Sequence, residues 1–247
     1  MRCSNFLLAA VVGFSPVSFA ASDLDELRAR ISKRYPTMKI DHLIVTPVDG
    51  IYQLGVNSQV VYLSEDGRYL FNGRLIDLDS GADLSERYLS KSRLAVLDGV
   101  AEERMIIYEP RQGTKYTITT FTDIDCPYCR RMHEEIATLT SHGIRVRYML
   151  YPRAGVASPS YDKAVSVWCS KDRNKELTEA KRGLVPPKRE CENPVKEHMA
   201  LARQLGLTGT PMTITDSGEQ IIGYLPADEM LTKLRESRVS ASATTAD

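Results

Sequence analysis

Two cysteines stand two residues apart in the run Cys126-Pro127-Tyr128-Cys129, directly after a strand-like segment over residues 116–122 and at the start of a helix-like one. A thiol at the first turn of a helix faces backbone N–H groups without intrahelical partners and the positive end of the helix dipole, both of which favour its anion. Such placement lowers a thiol pKa from about 8.5 to roughly 3.5–7.5, so the thiolate fraction at pH 7 rises from a few per cent to between about a quarter and nearly all. Cys126 is therefore the candidate nucleophile of thiol-disulfide exchange. Cys129, one turn on, is the candidate resolving thiol of a redox-active disulfide. A competing use of the pair, half of a zinc site, needs a second closely spaced ligand pair. Cys169 and Cys191 are too far apart in the chain to supply one, so neither a metal nor another cofactor is expected.

The neighbours of the pair carry weaker signals. Pro127 suits a first helical position, and the dipeptide between the cysteines also sets the relative stability of dithiol and disulfide. Tyr128 reads as an exposed recognition surface, because a phenol near pKa 10 is poorly matched to acid-base work at pH 7. A buried Asp123 could take the proton of Cys129, while helix-start capping is the simpler role for Asp125. Arg130 and Arg131 either add positive potential near the sulfur or form a solvated helix face. His133 reads as packing or surface, and His142 as turn surface. By residue type alone Thr210-Pro211 is an ordinary trans turn, the state of most X-Pro bonds.

Elements of two kinds must position these residues. Arg2, an apolar stretch over 6–14 and Ser18-Phe19-Ala20 read as a cleavable export signal, residues 1–20, too short to span a bilayer. Its removal discards Cys3 and leaves four cysteines, an even count that favours disulfides in an exported chain. It also discards Arg2, so 32 basic and 32 acidic residues become 31 and 32. A field so nearly balanced gives no reason to expect nucleic acid as a partner.

Residues 21–80 read as a small antiparallel module: a helix over 24–34, then strands over 40–48, 51–56, 59–64 and 69–71, with Asp66-Gly67 as a hairpin turn. A core of that size is at the lower limit of independent stability, and a second copy would cover an exposed edge. Residues 81–104 read as a connecting helix with Ser80-Gly81-Ala82-Asp83 as its capping box. Residues 105–238 begin with a β-α-β unit, the strand over 116–122, the Cys126 helix and a strand over 144–151. A helical stretch over 160–205 follows, then a hairpin over 212–224 and a last helix from Pro226 to about residue 237. Residues 239–247, small and polar, read as a disordered tail.

A strand, a CxxC at a helix start, a helical insertion, and Thr-Pro before a hairpin and final helix resemble the thioredoxin fold. The longer runs Phe121-Thr122-Asp123-Ile124-Asp125-Cys126-Pro127-Tyr128-Cys129, Ile144-Arg145-Val146-Arg147-Tyr148, Val167-Trp168-Cys169-Ser170-Lys171-Asp172-Arg173-Asn174-Lys175 and Gln204-Leu205-Gly206-Leu207-Thr208-Gly209-Thr210-Pro211 resemble the periplasmic disulfide isomerases of the DsbC/DsbG family. The resemblance covers essentially the whole chain after the export signal. It implies an α/β thioredoxin-like catalytic domain with a helical insertion, joined by the linker helix to a small N-terminal α+β cystatin-like dimerisation domain. It further implies a structural disulfide between Cys169 and Cys191, whose loop closure is worth about 3 kcal/mol in the chain-entropy model. Thr210-Pro211 becomes a cis-proline loop, in which the Thr210 backbone pairs with extended substrate and Pro211 keeps a competing N–H from the sulfurs. Pro127 and Tyr128 join these two as substrate-binding residues.

The implied partners are a second copy of the chain, misfolded disulfide-containing exported proteins in the periplasm, and a membrane thiol reductase of the DsbD type as electron donor. Pro127-Tyr128 is similar to DsbG, whereas the second cysteine pair is similar to DsbC. The leading expectation is a thiol-disulfide isomerase or reductase that rearranges incorrect disulfides and binds unfolded clients in the manner of a chaperone. The alternatives are a DsbG-like reductant of protein sulfenic acids, a dithiol oxidase, which the separate N-terminal module disfavours, and a binding chaperone whose CxxC is incidental.

Overall fold

Leu27 and Ile31, one turn apart, give the first helix a single apolar face, and that face nucleates the first of two layered units. In the computed structural model, which describes residues 20–244, this helix is α1 (Ala20–Arg34). The expected export signal lies outside the described residues except for its last position. The strands β1 (Ile40–Val45), β2 (Ile51–Val56), β3 (Gln59–Ser64) and β4 (Leu70–Phe71) follow as an antiparallel meander in that order. Because side chains alternate along a strand, Leu43, Leu54 and Leu63 point together beneath Leu27 and Ile31. Each such burial contributes roughly 1.5–3 kcal/mol relative to exposure. On the opposite face Gly55 has no side chain, and His42 and Tyr88 occupy the space a Cβ would take. The turn into β4 is Asp66-Gly67, with Gly67 at φ +64° and Asp66 Oδ1 accepting from Arg68 N at 3.0 Å. At this edge Leu70 is 57 % and Phe71 50 % exposed.

The connecting helix α2 (Leu84–Asp98) is capped by Asp83, whose Oδ1 accepts from Glu86 N at 3.0 Å. Ser80, the expected start of a capping box, instead donates its hydroxyl to Asp77. One end of α2 is tied to the first sheet by Ser85 Oγ and Tyr62 Oη, 2.6 Å apart. Toward the other end Arg93 donates to the carbonyl of Gly218 at 3.0 Å, and Leu97 enters the core of the second unit.

That unit contains β5 (Ile106–Tyr108), β6 (Tyr116–Thr122), α3 (Pro127–Glu134), α4 (Ile136–Ser141), β7 (Ile144–Leu150), α5 (Pro159–Trp168), α6 (Arg173–Lys181), α7 (Val195–Gln204), β8 (Met212–Thr215), β9 (Gln220–Ile222) and α8 (Ala227–Thr244). The sheet order is β5-β7-β6-β8-β9, with β6 and β7 parallel and the other pairs antiparallel. β5 is an element the sequence reading lacks. The helical stretch over 160–205 resolves into α5, α6 and α7.

Ile118, Val146, Tyr148 and Leu150 face one side, under α3, α4, α5, α6 and α8. Phe121, Met149, Met212 and Ile214 face the other, with Ala202 of α7, Leu205 just after it and Leu97 of α2. α8 continues to Thr244, so residues 239–244 extend the helix where a tail was expected, and 245–247 lie outside the described residues. Among the described residues no helix is long and apolar enough to cross a membrane.

Candidate active site

The central strand β6 delivers the loop 123–125 to the start of α3, where Cys126 is the N-cap residue and Pro127 the first helical one. Proline fits there because the N–H it lacks has no intrahelical partner at that position. Both Cys126 and Cys129 are free thiols, each 1 % exposed, whereas Tyr128 between them is 59 % exposed. From the far side the Thr210-Pro211 peptide, which is cis, brings the Thr210 carbonyl to 3.2 Å from Cys126 Sγ, whose thiol donates to it. The Thr210 hydroxyl is buried and has no hydrogen-bond partner.

The two sulfurs are pushed in opposite directions. Burial raises Cys126, but contacts with Thr210, hydrogen bonds from Cys129 and the positive charge of Arg153 outweigh it and hold the thiol below its ordinary value. At Cys129 burial dominates and raises the thiol, against the opposing pull of Lys181, Asp123 and Thr122. The arrangement therefore favours the anion at Cys126 and disfavours it at Cys129.

Several neighbours occupy places their types did not announce. Asp123 is buried, and its carboxylate accepts from Asp125 N at 2.9 Å, Ser160 Oγ at 2.7 Å, Arg153 N at 3.0 Å and Arg153 Nε at 3.1 Å. Burial opposes its charge, yet these bonds win and hold its carboxyl below the usual range, so Asp123 orients Arg153 and is a poor acceptor for the Cys129 proton. Asp125 does not cap α3. It accepts from Lys163 Nζ at 2.8 Å and Arg130 Nη2 at 3.1 Å. Arg130 is further turned back to the Ile124 carbonyl, and Arg131 lies over the Tyr224 ring. His133 is buried between Tyr148 and Thr178, and burial, with Lys181 and Arg182 nearby, pushes it down to about 3, so it is a neutral packing group. His142 ends α4 and contacts Asp228.

Arg153 and Lys181 are the charged residues that sequence reasoning missed. Arg153 stands in the loop after β7, and Lys181 in the last turn of α6, where a lysine reads as a solvated, dipole-favoured cation. Cys169, at the C-terminal end of α5, and Cys191, in the loop before α7, form a disulfide with Cα atoms 5.7 Å apart. It ties the helical insertion together away from the two free thiols. Among the described residues no cluster of His, Cys, Asp and Glu could hold a metal ion.

A thioredoxin-like sheet with a reduced, asymmetrically tuned CxxC at a helix start defines a thiol-disulfide oxidoreductase. Family models match accordingly: a thioredoxin-like domain over residues 104–238 and a disulfide bond isomerase protein N-terminal domain over 18–86. The thiol:disulfide interchange protein DsbC of Escherichia coli (strain K12) is 33 % identical over 236 residues, covering 96 % of this chain and 95 % of the relative. DsbC of Haemophilus influenzae is 33 % identical over 211 residues, 85 % of this chain and 90 % of the relative. A solved disulfide interchange protein from Neisseria gonorrhoeae superposes with a TM-score of 0.49 at 31 % identity, covering 54 % of this chain and 97 % of that one. The chain belongs to the DsbC family of thiol:disulfide interchange proteins.

Proposed function

We propose that the protein is a homodimeric isomerase of wrongly paired disulfides in exported, periplasmic proteins, with Cys126 as nucleophile and Cys129 as resolving thiol. The observation that carries this reading is the opposite displacement of the two thiols, Cys126 down and Cys129 up, at one buried helix start. The Cys126 thiolate attacks one sulfur of a substrate disulfide. A Cys126–substrate disulfide forms, the substrate S–S bond breaks, and the freed substrate thiolate attacks elsewhere in its own chain until Cys126 is expelled. If that rescue stalls, Cys129 displaces the substrate and leaves the enzyme oxidised, so a reductant of the DsbD type must restore the dithiol.

Thr210 is the proposed strand-pairing partner of an extended client segment beside Cys126, with Pro211 following it and Pro127 and Tyr128 forming the opposite lip. The half-exposed apolar edge at Leu70 and Phe71 supports pairing of two copies through residues 21–80. In that arrangement residues 81–104 link the pairing module to the catalytic domain over 105–238, and the facing domains hold unfolded clients. The test is recovery of active ribonuclease from scrambled disulfides in a mildly reducing glutathione buffer. Recovery that disappears in Cys126→Ala is expected; no recovery by the unaltered protein would overturn the reading.

A further inference from the structure

Lys181 is 3 % exposed, and its Nζ donates to Thr122 Oγ1 at 2.7 Å and to the Asp123 carbonyl at 3.3 Å. Both acceptors are neutral, and among the described residues no carboxylate forms an ion pair with it. An ammonium removed from water without a counter-ion is strongly disfavoured, and such lysines tend to give up their proton. Burial accordingly pushes Lys181 down to about 8, within reach of the pH at which thiols exchange. Thr122 Oγ1, which accepts from Lys181, also lies beside Cys129, where it favours the thiolate. Cys129, the Thr122 hydroxyl and Lys181 Nζ thus stand in succession leading away from the resolving sulfur. Asp123, the other ionisable neighbour, is committed to Arg153 and Ser160.

We propose that Lys181, acting through the Thr122 hydroxyl, takes the proton of Cys129 when that thiol resolves a mixed disulfide and returns it when the enzyme disulfide is reduced. The proposal rests on the exchange cycle given above. In resolution, Cys129 S–H donates to Thr122 Oγ1 while the Thr122 hydroxyl proton passes to neutral Lys181, which becomes the ammonium. The Cys129 thiolate then attacks Cys126 Sγ, the Cys126–Cys129 bond forms, and the bond from Cys126 to substrate breaks, the substrate leaving as thiolate with the electron pair. When a reductant thiolate later attacks Cys126, Cys129 leaves as the anion and the ammonium reprotonates it through Thr122.

The charged and titratable groups facing Lys181 are Cys129, Cys126 and Arg130 from the start of α3, Asp123 from the preceding loop, and His133 and Tyr148 beneath it, with Arg182 next along the chain. Its role is to position and supply a proton for Cys129. Lys181 acts most strongly on Cys129, whereas Arg153 is the cation that lowers Cys126.

The test follows the reduced full-length protein mixed with oxidised glutathione, quenched in acid and weighed intact, so that formation and decay of the Cys126–glutathione adduct give separate rates. In Lys181→Met and in Thr122→Val, decay of the adduct is expected to slow about tenfold and its pH midpoint to move up, while formation stays within about twofold. Unchanged decay in both variants, or formation and decay slowing together, would overturn the proposal. Should Lys181→Met fail to fold, Thr122→Val decides alone, since it breaks the path and leaves the lysine in place. Glutathione is not a misfolded client, so this result stands or falls independently of ribonuclease recovery.

Discussion

The N-terminal sheet leaves Tyr69, Leu70 and Phe71 half-exposed along its β4 edge, whereas β6, at the centre of the catalytic sheet, is covered on both faces. The contents differ as well as the coverage. Beneath α1 the first core is aliphatic, while the second buries Thr122, Asp123 and Lys181 close to Cys129. A polar group inside a protein destabilises unless it is hydrogen-bonded, so these side chains mark where folding has been subordinated to chemistry. The first unit leaves an apolar edge exposed at β4, whereas the second places buried ionisable groups beside its two thiols.

That contrast can be broken at the edge first. Replacing Leu70 and Phe71 together by lysine should abolish self-association in sedimentation and remove ribonuclease recovery almost entirely, because charges along an edge strand block pairing. Alkylation of Cys126 should be unaffected in the same variant; retained recovery by a monomer would contradict the division of labour.

A smaller effect is expected from Cys169→Ser with Cys191→Ser. Opening the loop between positions separated by 22 residues should lower the unfolding free energy of the catalytic domain by about 3 kcal/mol. Trp168, the single tryptophan, adjoins Cys169 and reports this in urea titration. Cys126 should still exchange.

The mildest change concerns pH. Alkylation tracks the thiolate, so for a thiol held below its ordinary value the rate rises with pH and levels off before the usual thiol range. Arg153→Met removes a positive charge that favours the anion, so the midpoint should move up, by less than about one unit. An unchanged midpoint would leave the contacts with Thr210 and Cys129 as the cause of the acidity.

How far the sequence discloses this architecture depends on whether the cause of a feature is local. The CxxC at a helix start and the strands over 51–56, 59–64, 116–122 and 212–215 follow from periodicity and turn residues, and they appear with the same limits in the structure. β5 has only three residues, too few for a period to register, and exists through its pairing with β7. Ser80 and Asp83 are both capable caps, and only the bond to Glu86 N distinguishes them.

The α8 extension through Ala241 and Ala243 follows from propagation beyond the buried Leu234, since alanine favours helix by its intrinsic propensity. Arg153 and Lys181 were not legible at all. Each reaches the cysteines only after β7 and α6 have packed, and a lysine ending a helix looks the same in sequence whether it faces water or a thiol.

Helix α2 is gripped at both ends, by Tyr62 on one sheet and by the Gly218 turn on the other. At Gly218, with φ +83°, a Cβ would run into the Ser90 carbonyl, so the helix and the turn touch backbone to backbone. Mechanically this is a lever resting on a fulcrum. Ser90 is the seventh of its 15 residues, so each arm is about 10 Å long, and a tilt of about 10° there would carry an end by about 2 Å. If two such chains pair through their first sheets, as proposed above, the separation of their reactive sulfurs depends in part on this glycine. A side chain at that position would act as a wedge, changing the reach of the chemistry while leaving the chemistry itself alone.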